Sequence, residues 1–322
     1  MYRKIMGFLE AWKDSVHRKP LILQGARQVG KTYSILEFGR NHYENVAYFN
    51  FETNPKLNET FEENISPDYL IPILSHIAGQ TIVTEKTLIV FDEVQLCERA
   101  LTSLKYFCEN APDYHIIVAG SLLGVAVNRA KFSFPVGKVD MKTLYPMDME
   151  EFMLALGEDD LVEQIKKCFQ TDTPLPSALH DAAMQLYRQY LVVGGMPECV
   201  MQFAETKDYI LVRHTQDTIL ASYLNDMSKY NNLNEIKKTR LAYDNITVQL
   251  SKKNTRFQYK LIKKGGRASE FENAIEWLCL SGIVSQVYKV EQIKKPLENY
   301  RDIDAFKIYV SDLGLLCAKK DL

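Results

Sequence analysis

The chain has 322 residues, of which 46% are hydrophobic and 25% are charged, and its net charge is −2. This length and composition are typical of a folded protein of about two domains, and they exclude disordered, collagen-like and coiled-coil rod architectures. The apolar runs are shorter than the roughly 20 residues that a membrane-spanning helix needs. Because Glu10, Lys13 and Asp14 stand where a signal peptide would be apolar, we expect a cytoplasmic protein with no membrane partner.

The first 150 residues are predicted to form an α/β core. After an amphipathic helix over residues 2–18, short apolar strands alternate with helical segments, which is the pattern of a parallel sheet with crossover helices. The predicted strands are Leu21–Gln24, Val46–Phe51, Thr87–Phe91 and His115–Ala119, and the helices between them are Tyr33–Gly39, Leu57–Asn64, Tyr69–Ala78 and Leu101–Asn110.

Beyond residue 150 the pattern becomes helical. Residues 151–228 contain only helical candidates, and we expect a helical domain there. Residues 229–322 have three helices followed by two alternating apolar stretches, which is the element order of a winged helix. The helices are predicted at Glu235–Ser251, Phe257–Lys263 and Ser269–Leu280, and the strands at Ile283–Val290 and Phe306–Val310.

Six cysteines are scattered along the chain, with no C-x-x-C pair and no paired histidine. Structural zinc sites normally use such pairs, so the sequence does not indicate one. A chain of this size without a signal peptide does not need disulfides. We therefore expect six reduced thiols, at positions 97, 108, 168, 199, 279 and 317.

A phosphate-binding loop is predicted directly after the first strand. The segment GARQVGKT matches the pattern G-x-x-x-x-G-K-[ST] in full, and it lies between a strand and a helix as the mechanism requires. Glycines let successive N–H groups point at phosphate oxygens, Lys31 supplies a charge to the β- and γ-phosphates, and Thr32 is a magnesium ligand. ATP with Mg²⁺ is thus the expected ligand, bound by Gly25, Ala26, Arg27, Gln28, Val29, Gly30, Lys31, Thr32 and Tyr33.

The third predicted strand ends in an acidic pair, Asp92 and Glu93. In a phosphate-loop protein the aspartate holds magnesium, usually through water, and the glutamate polarises the attacking water. The alternative is a strand that merely ends in charges. An acidic residue at position 93 favours hydrolysis of ATP over transfer of phosphate to another acceptor.

The fourth predicted strand ends in Ser121, which we expect near the γ-phosphate, where it would position water. As an alternative, or in addition, Ser121 is the N-cap of a following helical segment, Leu122–Val127. Three cations follow: Arg129, Lys131 and Lys138. One of them is a candidate finger reaching the γ-phosphate of a neighbouring subunit in a homo-oligomer, and the alternative is that all three are surface charges.

Taken together, these motifs resemble the archaeal and bacterial AAA-type ATPases, near the STAND-like branch of the P-loop ATPases, that carry a C-terminal domain of unknown function. The resemblance extends over nearly the whole chain. It rests on Arg3, Lys19–Pro20, Gly25–Thr32, Asp92–Gln95, Ala119–Ser121, Tyr145–Pro146, Met149–Phe152, Gly194–Pro197 and Tyr309–Gly314.

The resemblance implies an ATPase core, a helical lid at 151–228 and a C-terminal winged helix, with ATP between core and lid. It further implies that Pro197 lies against the nucleotide. The chain departs from the family at Lys138, where an arginine usually follows the glycine, and lysine lacks the bidentate fork for phosphate. Family members usually continue past the Asp312–Gly314 element into a further domain, which we expect to be missing here.

The charges are unevenly distributed. Residues 229–310 contain 16 Lys and Arg against 9 Asp and Glu, a net of +7, and residues 311–322 are neutral, which leaves −9 for residues 1–228. The stretch Lys252–Arg267 contains no acidic residue, whereas the predicted third helix carries three glutamates and no cation. The alternatives are therefore an ATPase coupled to DNA through its phosphates, and a regulatory switch that acts on protein partners. A small-molecule kinase is disfavoured because Glu93 suits water.

Overall fold

The computed structural model describes residues 1–121, 134–229, 233–253 and 255–321. The chain divides into two compact units, one formed by residues 2–145 and the other starting at Pro146. The division falls close to the predicted end of the α/β core. The further boundary predicted between residues 228 and 229 lies within the second unit and stays a prediction.

The first unit contains a five-stranded, entirely parallel sheet in the order β2-β3-β4-β1-β5. Its strands are β1 Leu21–Gln24, β2 Asn45–Asn50, β3 Thr87–Asp92, β4 His115–Gly120 and β5 Asp140–Thr143. This arrangement confirms the predicted α/β class with a parallel sheet. Four strands lie where the sequence predicts them.

Among the described residues of this unit, five α-helices accompany the sheet. They are α1 Ile5–Lys13, α2 Lys31–His42, α3 Leu57–Glu63, α4 Pro67–Ala78 and α5 Glu98–Asn110. The first is shorter than the predicted helix over residues 2–18. It ends because the chain turns back after Lys13, and the Trp12 indole N–H donates to the Lys19 carbonyl over 2.9 Å.

The burial of each strand in the first unit explains why four strands could be predicted from apolar runs and the fifth could not. Every residue of β3 and β4 is buried, as expected for central strands covered on both faces. Phe51, Phe61 and Phe91 form an aromatic cluster with ring centroids 5.5 to 5.9 Å apart. By contrast, β5 pairs only with β1 and none of its residues is buried, so it has no apolar run that would predict a strand.

His115, at the start of β4, makes the stability of the first unit depend on pH. Its ring is buried and shares a 2.7 Å hydrogen bond with the Tyr43 hydroxyl. Burial, with smaller contributions from Arg18 and Lys13, lowers the pKa of His115 to about 4. The unfolded chain, with an ordinary histidine pKa of about 6.5, therefore binds a proton that the folded chain does not, and stability falls as the pH drops from 6.5 towards 4.

We expect His115→Gln to remove this pH dependence. Between pH 7 and pH 4 the wild type should lose at most about 3 kcal/mol more unfolding free energy than the variant. Denaturant unfolding at a series of pH values measures the difference, with the exposed His17→Gln as the matched control. Parallel pH profiles for the wild type and His115→Gln would show that His115 plays no such part.

The second unit begins with five helices, as predicted for this part of the chain. They are α6 Met149–Ala155, α7 Asp159–Gln170, α8 Ser177–Val193, α9 Pro197–Thr206 and α10 Tyr209–Lys229. A capping box starts α6, because the Asp148 carboxylate accepts the Glu151 N–H over 2.9 Å and Glu151 accepts the Asp148 N–H over 3.1 Å. Phe152 then stacks on Phe203 of α9.

The remaining elements are α11 Leu233–Leu250, α12 Ala268–Leu280, the antiparallel strands β6 Val284–Val290 and β7 Arg301–Val310, and α13 Leu313–Lys320. The helix predicted at Phe257–Lys263 is wrong, since only one 3₁₀ turn forms, at Tyr259–Leu261. The Phe257 N–H instead donates to the Phe306 carbonyl over 2.9 Å, and the two rings stack. This contact with β7 holds the start of the segment, at Phe257 and Gln258, out of a helix. The assignment of a winged helix stays a prediction.

Two sequence predictions concern the whole chain. All six cysteines are free thiols, as predicted. Within the described ranges, no helix combines the length and the apolar character that crossing a bilayer requires.

Candidate functional site

The loop between β1 and α2 has a backbone that only glycine allows at two positions. Gly25 has φ 149°, and a Cβ there would lie 2.2 Å from the Leu144 carbonyl oxygen. Gly30 has φ 89° and precedes the first residue of α2. Between them, Ala26 and Val29 are buried and anchor the loop. The loop therefore brings backbone N–H groups to a helix N-terminus, an arrangement that binds anions.

Lys31 occupies the inside of this loop. Its side chain is 7% exposed, and Nζ donates to the carbonyl oxygens of Gly25 and Ala26, each over 2.8 Å. Burial lowers the pKa of Lys31 to about 8, and the nearby Glu93 and Asp92 partly oppose the shift. Lys31 therefore remains a cation at neutral pH. Tyr33, the last residue of the predicted set, is half exposed on α2.

Arg27 and Gln28 form the remaining part of the loop, and both are partly exposed. Gln28 adopts a left-handed conformation with φ 65°, and its buried Oε1 has no hydrogen-bond partner in the protein. The Arg27 charge contributes to lowering the pKa of Lys31. The loop thus presents two cationic side chains, from Arg27 and Lys31, together with its backbone.

The structure brings Thr32 and Asp92 together. Thr32 Oγ1 donates to Asp92 Oδ2 over 2.8 Å, and the Glu93 N–H donates to Asp92 Oδ1 over 3.0 Å. A hydroxyl has one proton and two lone pairs. Because the Thr32 proton is given to Asp92, the lone pairs of Thr32 remain available to a cation.

Glu93 lies next to this pair in a left-handed conformation, with φ 51°. Burial raises the pKa of the Glu93 carboxyl, and the Asp92 charge raises it further. The Gln95 side-chain amide donates to the Glu93 carboxylate. No sequence motif assigns a role to Gln95.

The donor set fits magnesium. A hydroxyl and two carboxylates are hard oxygen donors, and Mg²⁺ is usually held by one or two such side chains together with substrate phosphates. In the part of the chain that the structure describes, no group of three or more His, Cys, Asp or Glu residues could hold a metal ion alone. The residues present therefore match a cation bound jointly with phosphate oxygens.

Ser121 lies at the same edge of the sheet. It follows β4 directly and is buried, and its neighbour Gly120 pairs with Gln24, the residue before the loop. Its predicted N-cap role concerns Leu122–Val127, which lies outside the described residues, as do Arg129 and Lys131. Lys138 forms a 3.0 Å ion pair with Glu109, which supports its alternative as a surface charge. The predicted homo-oligomer stays a prediction.

Arg3 stabilises the phosphate-binding loop through hydrogen bonds, a role that the sequence motifs do not reveal. Its side chain is 2% exposed, Nη1 donates to the Val29 carbonyl over 2.9 Å, and Nη2 donates to the Tyr145 carbonyl over 2.8 Å. The guanidinium thus joins the loop to the end of the first unit. The one sequence signal is an arginine ahead of an amphipathic helix, which alone does not name a partner.

Tyr48, on β2, is a further residue to which the sequence motifs assign no role. Its hydroxyl donates to Asp92 Oδ2 over 2.7 Å and accepts from Asn50 Nδ2 over 3.1 Å. Burial raises the pKa of Tyr48 to about 12, so the hydroxyl keeps its proton at neutral pH. Tyr48 is therefore a neutral donor beside the predicted magnesium ligand.

In the second unit, two distant motifs form one buried junction. Asp312 accepts the Gly195 N–H over 2.6 Å and the Leu315 N–H over 2.8 Å. A Cβ on Gly194 would lie 2.3 Å from Asp312 Oδ1, so glycine is required there. Burial raises the pKa of Asp312, and its backbone N–H donors oppose the shift. Pro197 is the first residue of α9, and its predicted contact with nucleotide stays a prediction.

Comparisons with known proteins agree with this geometry. Residues 17–153 match the family described as AAA domain, and residues 184–322 match a Domain of unknown function (DUF8612). A comparison with curated proteins gives no significant match.

Solved structures show the same fold. A Walker-type ATPase of Pyrococcus abyssi is 13% identical with a TM-score of 0.59, covering 99% of this chain and 95% of that one. The ORC2 protein of Aeropyrum pernix, in ADPNP and ADP complexes, is 12% identical with a TM-score of 0.50, covering 99% of this chain and 94% of that one. The first unit therefore has the P-loop NTPase α/β fold.

Proposed function

We propose that the chain binds ATP with Mg²⁺, hydrolyses it slowly, and uses the nucleotide as a switch. The proposal rests on the contact between the phosphate-binding loop and the end of β3. There Thr32 donates to Asp92, and Lys31 is buried as a cation. Lys31 neutralises phosphate charge, while Thr32 and Asp92 hold the cation. Bound Mg²⁺ supplies charge stabilisation at the phosphate oxygens.

Glu93 orients the attacking water and Ser121 lies near the γ-phosphate. The Glu93 carboxylate is engaged by Gln95 in the structure. A carboxylate accepts a proton from water, or polarises the water, through an acceptor position that no other donor occupies. The Gln95 amide takes one acceptor position of Glu93 and leaves others for water. Slow turnover is part of the proposal, as suits a switch.

The segment between the two units supports a switching role. In the first unit, the Leu144 N–H donates to the Gln24 carbonyl over 2.8 Å, directly before the loop. In the second unit, the Met147 N–H donates to the Gly195 carbonyl over 2.7 Å. Residues 144–147 are thus anchored at one end beside the phosphate loop and at the other end beside the Asp312 junction. A change at the loop has a short covalent route to the second unit.

The basic stretch Lys252–Arg267 favours an anionic partner for the second unit. Its exposed cations Lys252, Lys253, Lys260, Lys264 and Arg267 have no ion-pair partner among the residues that the structure describes. The helix α12 carries Glu270, Glu272 and Glu276 and no cation, which disfavours the reading of bases. We therefore propose contact with the phosphates of DNA, and the acidic α12 leaves a protein partner as the second candidate.

One experiment tests both the reaction and the partner. Phosphate release from ATP is measured with and without duplex DNA over a salt series, in the wild type and in Glu93→Gln. We expect a low basal rate that falls about 100-fold in Glu93→Gln while ATP binding persists. Stimulation by DNA should fade as salt rises. A rate indifferent to DNA favours the protein partner, and a chain that neither binds nor hydrolyses ATP contradicts the proposal.

A further inference from the structure

Tyr48 stands on the strand next to the one that carries Asp92. The sheet register pairs Tyr48 with Val90 and Asn50 with Asp92. The Tyr48 hydroxyl and the Thr32 hydroxyl donate to the same atom, Asp92 Oδ2, over 2.7 and 2.8 Å. We propose that Tyr48 is a positioning residue of the magnesium site, which fixes the oxygen that Asp92 offers to the cation. This inference rests on the proposed function.

The free acceptor positions of the Asp92 carboxylate indicate which of its oxygens is left for a cation. An ionised carboxylate has about four acceptor positions, two on each oxygen. Both positions of Asp92 Oδ2 are used, by Thr32 and Tyr48, whereas Oδ1 accepts only the Glu93 N–H. One acceptor position remains, on Oδ1. With Tyr48 in place, Asp92 therefore meets a cation, or its bound water, through Oδ1.

Tyr48 is itself held in place by the turn after β2. Asn50 Nδ2 donates to the Tyr48 hydroxyl, and Asn50 Oδ1 accepts the N–H groups of Glu52 and Thr53 over 2.9 and 3.0 Å. The Tyr48 side chain is 38% exposed, so it is not a core residue. Loss of the hydroxyl alone should therefore affect Asp92 without unfolding the unit.

The test is an equilibrium titration of the full-length chain that does not depend on turnover. The affinity for a fluorescent ATP analogue is measured in EDTA and then with increasing Mg²⁺, in the wild type and in Tyr48→Phe. We expect equal affinities in EDTA and a Mg²⁺ midpoint about tenfold higher in Tyr48→Phe, the usual cost of losing a partner of a metal ligand. Tyr69→Phe is the matched control, because Tyr69 also donates to a carboxylate, that of Glu63, outside the site.

Any other outcome contradicts either the inference about Tyr48 or the proposed function. An unchanged Mg²⁺ midpoint in Tyr48→Phe overturns the inference, and so does an equal shift in Tyr69→Phe. A loss of affinity already in EDTA also overturns it, because the effect would then not concern magnesium. A wild-type chain that binds no nucleotide in EDTA or in Mg²⁺ contradicts the proposed function itself, a result distinct from the three that overturn only the inference.

Discussion

Lys31→Ala should lower the affinity for ATP about 100-fold. The buried ammonium is the charge that the loop offers to phosphate oxygens, and hydrogen bonds to charged groups contribute up to about 3 kcal/mol each, where about 1.4 kcal/mol corresponds to a factor of ten. The substitution also leaves the Gly25 and Ala26 carbonyls without the donor they have in the structure. Binding of a fluorescent ATP analogue measures the loss.

Two further variants separate charge from packing at this position. Lys31→Met keeps most of the side-chain volume and removes the charge, so its affinity should fall as far as that of Lys31→Ala. The exposed Lys56→Ala, in the same unit, should bind as the wild type does. Full affinity in Lys31→Met would mean that the charge is not what the loop uses to bind phosphate.

Asp312→Ala should destabilise the second unit by about 2–4 kcal/mol. The change removes the N-cap of α13, which is typically worth about 1 kcal/mol. It also leaves the buried Gly195 N–H without an acceptor, at a cost of about 1–3 kcal/mol. Thermal unfolding, combined with hydrogen exchange at Gly195 and along α13, measures the effect.

The control is an aspartate that accepts backbone N–H groups at the surface. Asp208 accepts the Ile210 N–H over 2.7 Å and is exposed, so Asp208→Ala should cost no more than about 1 kcal/mol. Asp312→Asn should fall between wild type and Asp312→Ala, because its amide offers one oxygen where two N–H donors point. Equal stabilities of Asp312→Ala and Asp208→Ala would contradict a structural role for the junction.

The phosphate loop and the acidic pair could be predicted because each is a contiguous motif with a fixed place in the fold. Thr32 and Asp92 lie far apart in sequence, yet a parallel sheet brings the carboxyl ends of all its strands to one edge, here those of β1 and β3 on either side of β4. The alternation of apolar runs and helical patterns likewise predicts four of the five strands. These features depend on local sequence and on the general geometry of an α/β sheet.

The residues that support the site could not be predicted in the same way. Arg3 reaches a carbonyl 142 residues away, and Asp312 reaches a backbone N–H 117 residues away. Tyr48 looks like any half-buried strand residue until β2 is placed beside β3. Such pairings depend on which side chains meet after folding, and no local pattern records them.

Prediction from local sequence also fails where tertiary contacts determine the backbone conformation. The segment that starts at Phe257 has a helical spacing, but its hydrogen bond to Phe306 of β7 holds its first residues out of a helix. The edge strand β5 has no buried residue and no apolar run, and its position is defined by its register with β1. In both cases contact with a neighbouring strand, and not the sequence of the segment itself, determines the backbone conformation.

The most direct measurement of the central claim is a calorimetric titration of the wild-type chain with ATP in the presence of Mg²⁺, repeated with Lys31→Met. Binding at a single site per chain in the wild type, lost or weakened about 100-fold in the variant, is the predicted result. Absence of binding in the wild type, or equal affinities in both proteins, would contradict the assignment of this loop as the nucleotide site.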